Sequence, residues 1–267
     1  MDLGLKGRVA IVSGSSEAIG RAIARSLASE GVNVVICARG AESLAAVQDE
    51  IRQSGGNAVT VAADVTDPEA VRTVVATAIE RFGGLDILVN NVGGAIRFAG
   101  FLELTDDDWL DTFKLNVMAT VYFVRYALPY LRQSLSPRII NISSISGVQP
   151  GYYNPHYTIT KAAIINLSKF LANQFASEHI LVNVVCPGPV HSRSWDRNVE
   201  RIANIRGISL DEASLQVDLE EAGKIPLGRV GEGEDVTGLV TYLASDKAAW
   251  VTGSCFHVNG GKLSSMY

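Results

Sequence analysis

Residues 8–20 read RVAIVSGSSEAIG. The first half is a short run of β-branched and small apolar side chains, the pattern of a parallel strand covered on both faces. The second half is a turn punctuated by Gly14 and Gly20 that leads into IARSLASE, whose apolar residues recur at helical spacing. Glycine lets a backbone turn tightly and approach a ligand closely, and the following helix N-terminus offers unpaired N–H groups to a pyrophosphate. A glycine-rich turn alone is weak evidence for a nucleotide, since βα turns use glycine anyway. Its place between a first strand and a helix is what carries the reading.

The alternation continues outward from this unit. Strand-like runs fall at 8–13, 32–38, 58–62, 86–90, 138–143, 181–185 and 254–258, and helical patterns at 19–30, 41–53, 68–82, 106–133, 155–178 and 232–245. Asp67-Pro68 supplies an N-cap followed by proline at the first helical turn, and Thr105 with Asp108 has capping-box spacing. The pattern predicts an α/β chain: a single-domain, Rossmann-type, doubly wound parallel sheet with helices on both faces. No linker, charge block or repeat divides residues 1–267, so one domain is expected. The stretch 188–228 breaks the rhythm; it is rich in Arg, Glu, Asn and Ser with patchy helical periodicity, and a connection that long is expected to serve as a lid over the substrate.

Composition narrows the class. A chain of 267 residues with 47% hydrophobic and 19% charged residues can bury a full core, which excludes disorder and disulfide-stapled miniproteins. A net charge of −5 argues against nucleic acid or an anionic membrane as the main partner. Cys37, Cys186 and Cys255 form no CxxC pair and have no metal-ligand spacing, so they read as small core hydrophobes in a reducing compartment, with no metal expected. The longest apolar stretch, 117–131, is interrupted by Arg125 and Pro129 and is too short to span a bilayer. The N-terminus lacks the long apolar region of a secretory signal, which makes a cytoplasmic location the expectation.

Tyr157 and Lys161 stand four residues apart in YTITK, so a helix places ammonium and phenol on one face. A nearby Lys⁺ favours the phenolate and makes a tyrosine usable as a base near neutrality. At the end of the second strand stands Arg39, with no carboxylate to bind ribose hydroxyls; a guanidinium there suits the 2′-phosphate of NADP. Glu17, inside the glycine turn, would repel that phosphate, so NAD remains an alternative.

Taken in order, these motifs resemble the short-chain dehydrogenases/reductases. The turn Ser13-Gly14-Ser15-Ser16-Glu17-Ala18-Ile19-Gly20 is similar to the family's TGxxxGIG, with Ser13 for threonine and Ala18 for the middle glycine. One added methyl group is expected to be tolerated with a slight displacement of the turn. The resemblance implies nucleotide contacts from Gly14, Ser15, Ser16, Ile19, Gly20 and Arg39. It extends them to the adenine-side pair Asp64 and Val65, to Asn91 and Gly93 in NNVG, and to Pro187, Gly188, Val190 and Ser192 in PGPVHS, with Tyr157 and Lys161 also touching the cofactor. It implies a catalytic set of Asn116, Ser144, Tyr157 and Lys161. Ser144 would hold the carbonyl oxygen, ahead of its neighbours Ser143 and Ser146, and Asn116 would bind a water linking Lys161 to solvent.

The expected function is therefore NADP(H)-dependent interconversion of a ketone and a secondary alcohol on a small-molecule substrate. An NAD-dependent alcohol or diol dehydrogenase, and a nucleotide-sensing homologue that has lost catalysis, stand as alternatives. The resemblance also implies a homotetramer, or a dimer, assembled through the helices near 106–133 and 155–178. A pocket framed by 94–98, 148–156 and the lid is expected, with Tyr152, Tyr153, His156 and Trp195 as candidate walls. His191, Arg193, Arg197 and Arg201 are candidates to meet an anionic group, although interspersed acids equally describe a solvated face.

Overall fold

A computed structural model describes residues 2–265, so that Met1, Met266 and Tyr267 of the expected single domain lie outside the described residues. Seven strands form one parallel sheet: β1 (Val9–Ser13), β2 (Asn33–Ala38), β3 (Asn57–Ala62), β4 (Ile87–Asn90), β5 (Arg138–Ile142), β6 (Leu181–Pro187) and β7 (Cys255–Val258). Their order is β3-β2-β1-β4-β5-β6-β7. All seven expected strands are present: the five inner ones are buried along nearly their whole length, whereas the edge strands β3 and β7 are partly exposed.

The helices are α1 (Ala18–Ser29), α2 (Ala41–Gln53), α3 (Pro68–Phe82), α4 (Asp106–Phe113), α5 (Ala119–Leu131), α6 (Pro155–Phe175), α7 (Arg193–Arg206), α8 (Leu210–Ala222) and α9 (Gly233–Ala244). Side chains alternate across a strand, and the core divides accordingly. Ala10, Val12, Val34, Ile36, Ile87 and Val89 pack under α1, α2 and α9, while Val9, Ile11, Val35, Cys37 and Leu88 pack under α3, α5 and α6. The two helical layers cover opposite faces of one sheet. Asp67 caps α3 by accepting from the Glu69 N–H, and Thr105 and Asp108 close the reciprocal capping box on α4, as their spacing predicts.

Three expectations need correction. The helix expected over 106–133 is interrupted at Lys114–Met118 by a π-helical turn, a wider coil found often at functional sites. The stretch 188–228 is more ordered than its periodicity suggests: α7 and α8 occupy most of it. Ser192 and Ser209 cap them, and Val199, Ala203, Ala213 and Val217 form their shared core. Their contacts with each other, rather than a wide apolar face toward the sheet, hold them helical. Finally, Cys37 and Cys186 are buried as expected, but Cys255 is exposed, because β7 is the edge of the sheet.

Strand order reverses beside β1, with β2 to one side and β4 to the other. In an open α/β sheet this switch opens a crevice at the carboxyl ends of the strands. The turns after β1, β4, β5 and β6, which carry most of the predicted site residues, all emerge there.

Candidate active site

The glycine turn is held by the loop after β4. The Asn91 side-chain amide donates to the carbonyls of Ser13 (3.0 Å) and Gly14 (3.1 Å), and the Ser13 hydroxyl accepts from the backbone N–H groups of Asn91 and Val92. Ser13 thus performs the hydroxyl's structural task without threonine's methyl. Gly14 has φ +65°, and a Cβ at Gly20 would lie 2.1 Å from the Gly14 carbonyl oxygen, so both glycines are obligatory. Ala18, standing where the resembled motif has its second glycine, has φ +43°. The alanine adopts a conformation that L-residues disfavour. No side chain caps α1 among the described residues, leaving its first N–H groups open to an anion.

Ser15 is fully buried, its hydroxyl donating to the Val12 carbonyl and accepting from the Cys37 N–H. Its side chain is thereby committed to the strands, leaving its backbone to face a ligand. Arg39 is exposed at the end of β2 and has no ion-pair partner among the described residues; its charge helps hold the Asp64 carboxyl below its ordinary range. The first cause of that lowering is the Thr66 N–H, which donates to Asp64 Oδ1 at 2.9 Å. Val65 is buried in the core, so only its backbone is available to a ligand. Glu17 forms an ion pair with Arg193 at 3.0 Å, which joins the glycine turn to the first residue of α7.

The catalytic candidates converge at the ends of β5 and α6. Lys161 is buried, donates to the Ile142 carbonyl at 3.0 Å, and places Nζ 5.6 Å from the centre of the Tyr157 ring. Burial pulls its pKa down to about 8. The Tyr157 phenol hydrogen-bonds with Ser144, but burial outweighs that contact and pushes its pKa above the ordinary value. The expected depression of Tyr157 by the ammonium is therefore not the dominant effect in this state: desolvation wins, and the phenol is kept protonated at neutral pH.

The neighbouring serines divide as strand alternation requires. Ser143 turns inward and donates to the Lys161 carbonyl at 2.7 Å, whereas Ser144 faces Tyr157 and accepts from the Ser146 N–H. Asn116 sits in the π-helical turn. Its Oδ1 accepts from the Gly94 N–H (2.8 Å), and its Nδ2 donates to the Gly94 carbonyl (3.1 Å) and to Thr160 Oγ1 (3.0 Å). Both amide hydrogens are used, so one Oδ1 lone pair remains for a further donor such as water. A Cβ on Gly93 would come within 2.5 Å of Asn116 Oδ1 and 2.8 Å of Lys161 Nζ, which accounts for glycine at that position.

After β6, the Gly188 N–H donates to the Val258 carbonyl, Val190 bridges to Gly231, and the Ser192 hydroxyl accepts from the Trp195 N–H as the cap of α7. Pro187 closes β6 itself.

Of the outer pocket candidates, Tyr152 is fully exposed and Tyr153 stacks against the Arg201 guanidinium at 5.7 Å. His156 is buried against Trp109, with neither ring nitrogen finding a partner, and burial lowers its pKa so that it stays neutral. His191 lies between Glu232 (2.6 Å) and Asp218 (3.2 Å) and packs on Trp195. Among the basic candidates for an anionic substrate group, His191 and Arg193 are thus already paired with acids. The Glu17–Arg193 bridge and the role of Thr160 were missed from sequence; only the unusual acid in the turn gave any signal.

The model of the enoyl-(acyl carrier protein) reductase family matches residues 14–262. The chain is 36% identical over 257 residues to 3-oxoacyl-(acyl-carrier-protein) reductase FabG of Staphylococcus aureus, covering 94% of this chain and 96% of that protein. It is 33% identical over 260 residues to the Haemophilus influenzae protein of the same name, covering 96% and 98%. Among solved structures, L-sorbose reductase from Gluconobacter frateurii complexed with NADPH and L-sorbose aligns with a TM-score of 0.92 at 34% identity over 100% of both chains. A short-chain type dehydrogenase/reductase from Mycobacterium marinum aligns with a TM-score of 0.84 at 31% identity, over 99% and 98%. With a family match across nearly its whole length and the seven-stranded parallel sheet to go with it, the chain belongs to the short-chain dehydrogenases/reductases, a family of oxidoreductases.

Proposed function

We propose that this chain is an NADPH-dependent carbonyl reductase that interconverts a ketone and a secondary alcohol, with Tyr157 as general acid/base. The observation that carries this reading is the convergence of Ser144, Tyr157 and Lys161 at the mouth of the crevice, with the phenol held protonated by burial. A protonated phenol is the form needed to deliver a proton to a carbonyl oxygen as it gains charge.

The residues fit a dinucleotide. The glycine turn is compact only because Gly14 and Gly20 lack side chains, and the uncapped start of α1 faces the same crevice. Gly14, Ser15, Ser16, Ile19 and Gly20 would hold the pyrophosphate, and Asp64 and Val65 the adenine. Asn91, Gly93, Tyr157 and Lys161 would hold the nicotinamide ribose, and Pro187, Gly188, Val190 and Ser192 the carboxamide. When bound, the nucleotide supplies the hydride. Arg39 favours the form carrying a 2′-phosphate, and the pairing of Glu17 with Arg193 offsets the charge that argued against it. The NADPH in the structure of the L-sorbose reductase supports the same choice.

Ser144 donates to the substrate oxygen and aligns it with the phenol. Tyr157 gives its proton to that oxygen, and Lys161 stabilises the resulting phenolate at close range. The remaining Oδ1 lone pair of Asn116 accepts from the water through which Lys161 exchanges protons with solvent. The α7–α8 pair acts as the lid, tied to the nucleotide side by Glu17–Arg193 and to the substrate side by Arg201 on Tyr153.

We also place the protein in the cytoplasm; no helix among the described residues is long and apolar enough to cross a membrane. Self-assembly as a tetramer or dimer is supported by Leu110 and Phe113 on α4 and by Ile159 and Phe170 on α6, which are exposed in the single chain.

A panel of ketones run with NADPH and NADH, followed at the nicotinamide absorbance, tests the reading. Tyr157→Phe should abolish turnover while nucleotide binding persists. Turnover near wild type in that variant would overturn the proposal.

A further inference from the structure

Two strands bring together side chains that no sequence spacing connects. In the β6–β7 pairing Val184 lies opposite Cys255 and Cys186 opposite His257. Alternation then puts Cys186, Cys255 and His257 on one face of the strand pair. Cys186 Sγ is 3.5 Å from Cys255 Sγ, and Cys255 Sγ is 3.6 Å from His257 Nε2. All three ligand atoms lie within 4.8 Å of one another.

Those separations have a chemical meaning. With Zn–S bonds of about 2.3 Å and Zn–N bonds of about 2.0 Å, a tetrahedral ion holds two sulfurs about 3.8 Å apart and a sulfur and an imidazole nitrogen about 3.5 Å apart. Both edges that include Cys255 match within a few tenths of an ångström; the third, from Cys186 Sγ to His257 Nε2, is within 4.8 Å and has to close toward about 3.5 Å as the ion binds. Cys255 is exposed on the edge strand, which leaves the fourth coordination position open to water.

We propose that Cys186, Cys255 and His257 form a binding site for a thiophilic divalent cation of the zinc class, with three protein ligands and one open position. It lies behind the catalytic serine and takes no part in hydride or proton transfer. Sulfur and imidazole together select such an ion over magnesium or calcium, which require oxygen ligands.

The test uses the full chain, stripped with a chelator and kept under a non-thiol reductant, titrated with Zn²⁺ against a chromogenic competitor and separately with Co²⁺. The expected result is one equivalent bound per chain and a thiolate-to-cobalt charge-transfer band. Cys255→Ser and His257→Ala should each weaken binding at least about tenfold, as loss of a ligand requires, while unmetallated turnover is unchanged. Cys255→Ala serves as a second variant if the serine disturbs folding. Wild-type binding in these variants, a cobalt complex without the band, or a thiol titration showing that Cys186 and Cys255 stay linked as a disulfide would each overturn the proposal.

Discussion

Ala18 is one of only three non-glycine residues with positive φ among the described residues, and it occupies the glycine turn between β1 and α1. The left-handed region costs an L-residue about 1–2 kcal/mol, because Cβ crowds the following carbonyl. Glycine avoids that clash but loses more chain entropy on folding, about 0.5–1 kcal/mol. The difference predicts that Ala18→Gly stabilises the fold by about 0.5–1 kcal/mol. For a chain of this length that corresponds to about 1–4 °C in Tm.

The same chemical change elsewhere must have the opposite sign. Ala46 is exposed in the middle of α2, where the backbone is ordinary helix. Ala46→Gly should cost about 1 kcal/mol through helix propensity alone. Thermal and urea unfolding of both variants, with and without NADPH, measures the contrast. If the two substitutions destabilise alike, the strain assigned to Ala18 is absent and the reasoning fails. A relaxed turn should also bind NADPH at least as tightly as the wild type.

Arg39→Asp should lower kcat/KM for NADPH by at least about tenfold and raise it for NADH, because the 2′-phosphate loses its guanidinium and the ribose hydroxyls gain an acceptor; an unchanged NADPH/NADH ratio would remove Arg39 from the cofactor site. Ser144→Ala should reduce kcat by about a hundredfold with little change in Tm, as removal of one donor to the developing oxyanion does. Ser143→Ala should instead lower stability by about 1 kcal/mol, because the buried hydroxyl's hydrogen bond to the Lys161 carbonyl is lost; circular dichroism melts beside kinetics separate the two. Lys161 has a folded pKa of about 8 against an ordinary 10.5. Between those values the unfolded chain binds more protons, so stability should rise with pH from 8 toward 10. Relative to Lys161→Met, the wild type should gain on the order of 2 kcal/mol across that window; parallel urea titrations that give no difference would show that the ammonium is not desolvated.

Much of the fold was legible because its signals are local. A strand buried on both faces reads as an unbroken apolar run, and Asp67-Pro68 and the Thr105–Asp108 box mark helix starts by chemistry that acts within one turn. Tyr157 and Lys161 were legible for the same reason, since helical periodicity alone puts them on one face. Where local patterning was weak, the reading faltered: α7 and α8 draw their stability from each other, and a π-helical turn at Lys114–Met118 differs from α-helix by a single residue of register.

The sequence by itself determined the order of strands and helices, the glycine turn and the phenol–ammonium pair. The tertiary structure decided the rest, and in each case because two distant segments had to meet. Chain crossover sets which turns share the crevice and whether Glu17 stands alone or is answered by Arg193. Strand register brought Cys186 to Cys255 across 69 residues of chain, with His257 two residues further along the same strand. Only backbone geometry revealed that Ala18 pays in strain for replacing a glycine, since residue identity states what a side chain is and not the φ it is made to adopt.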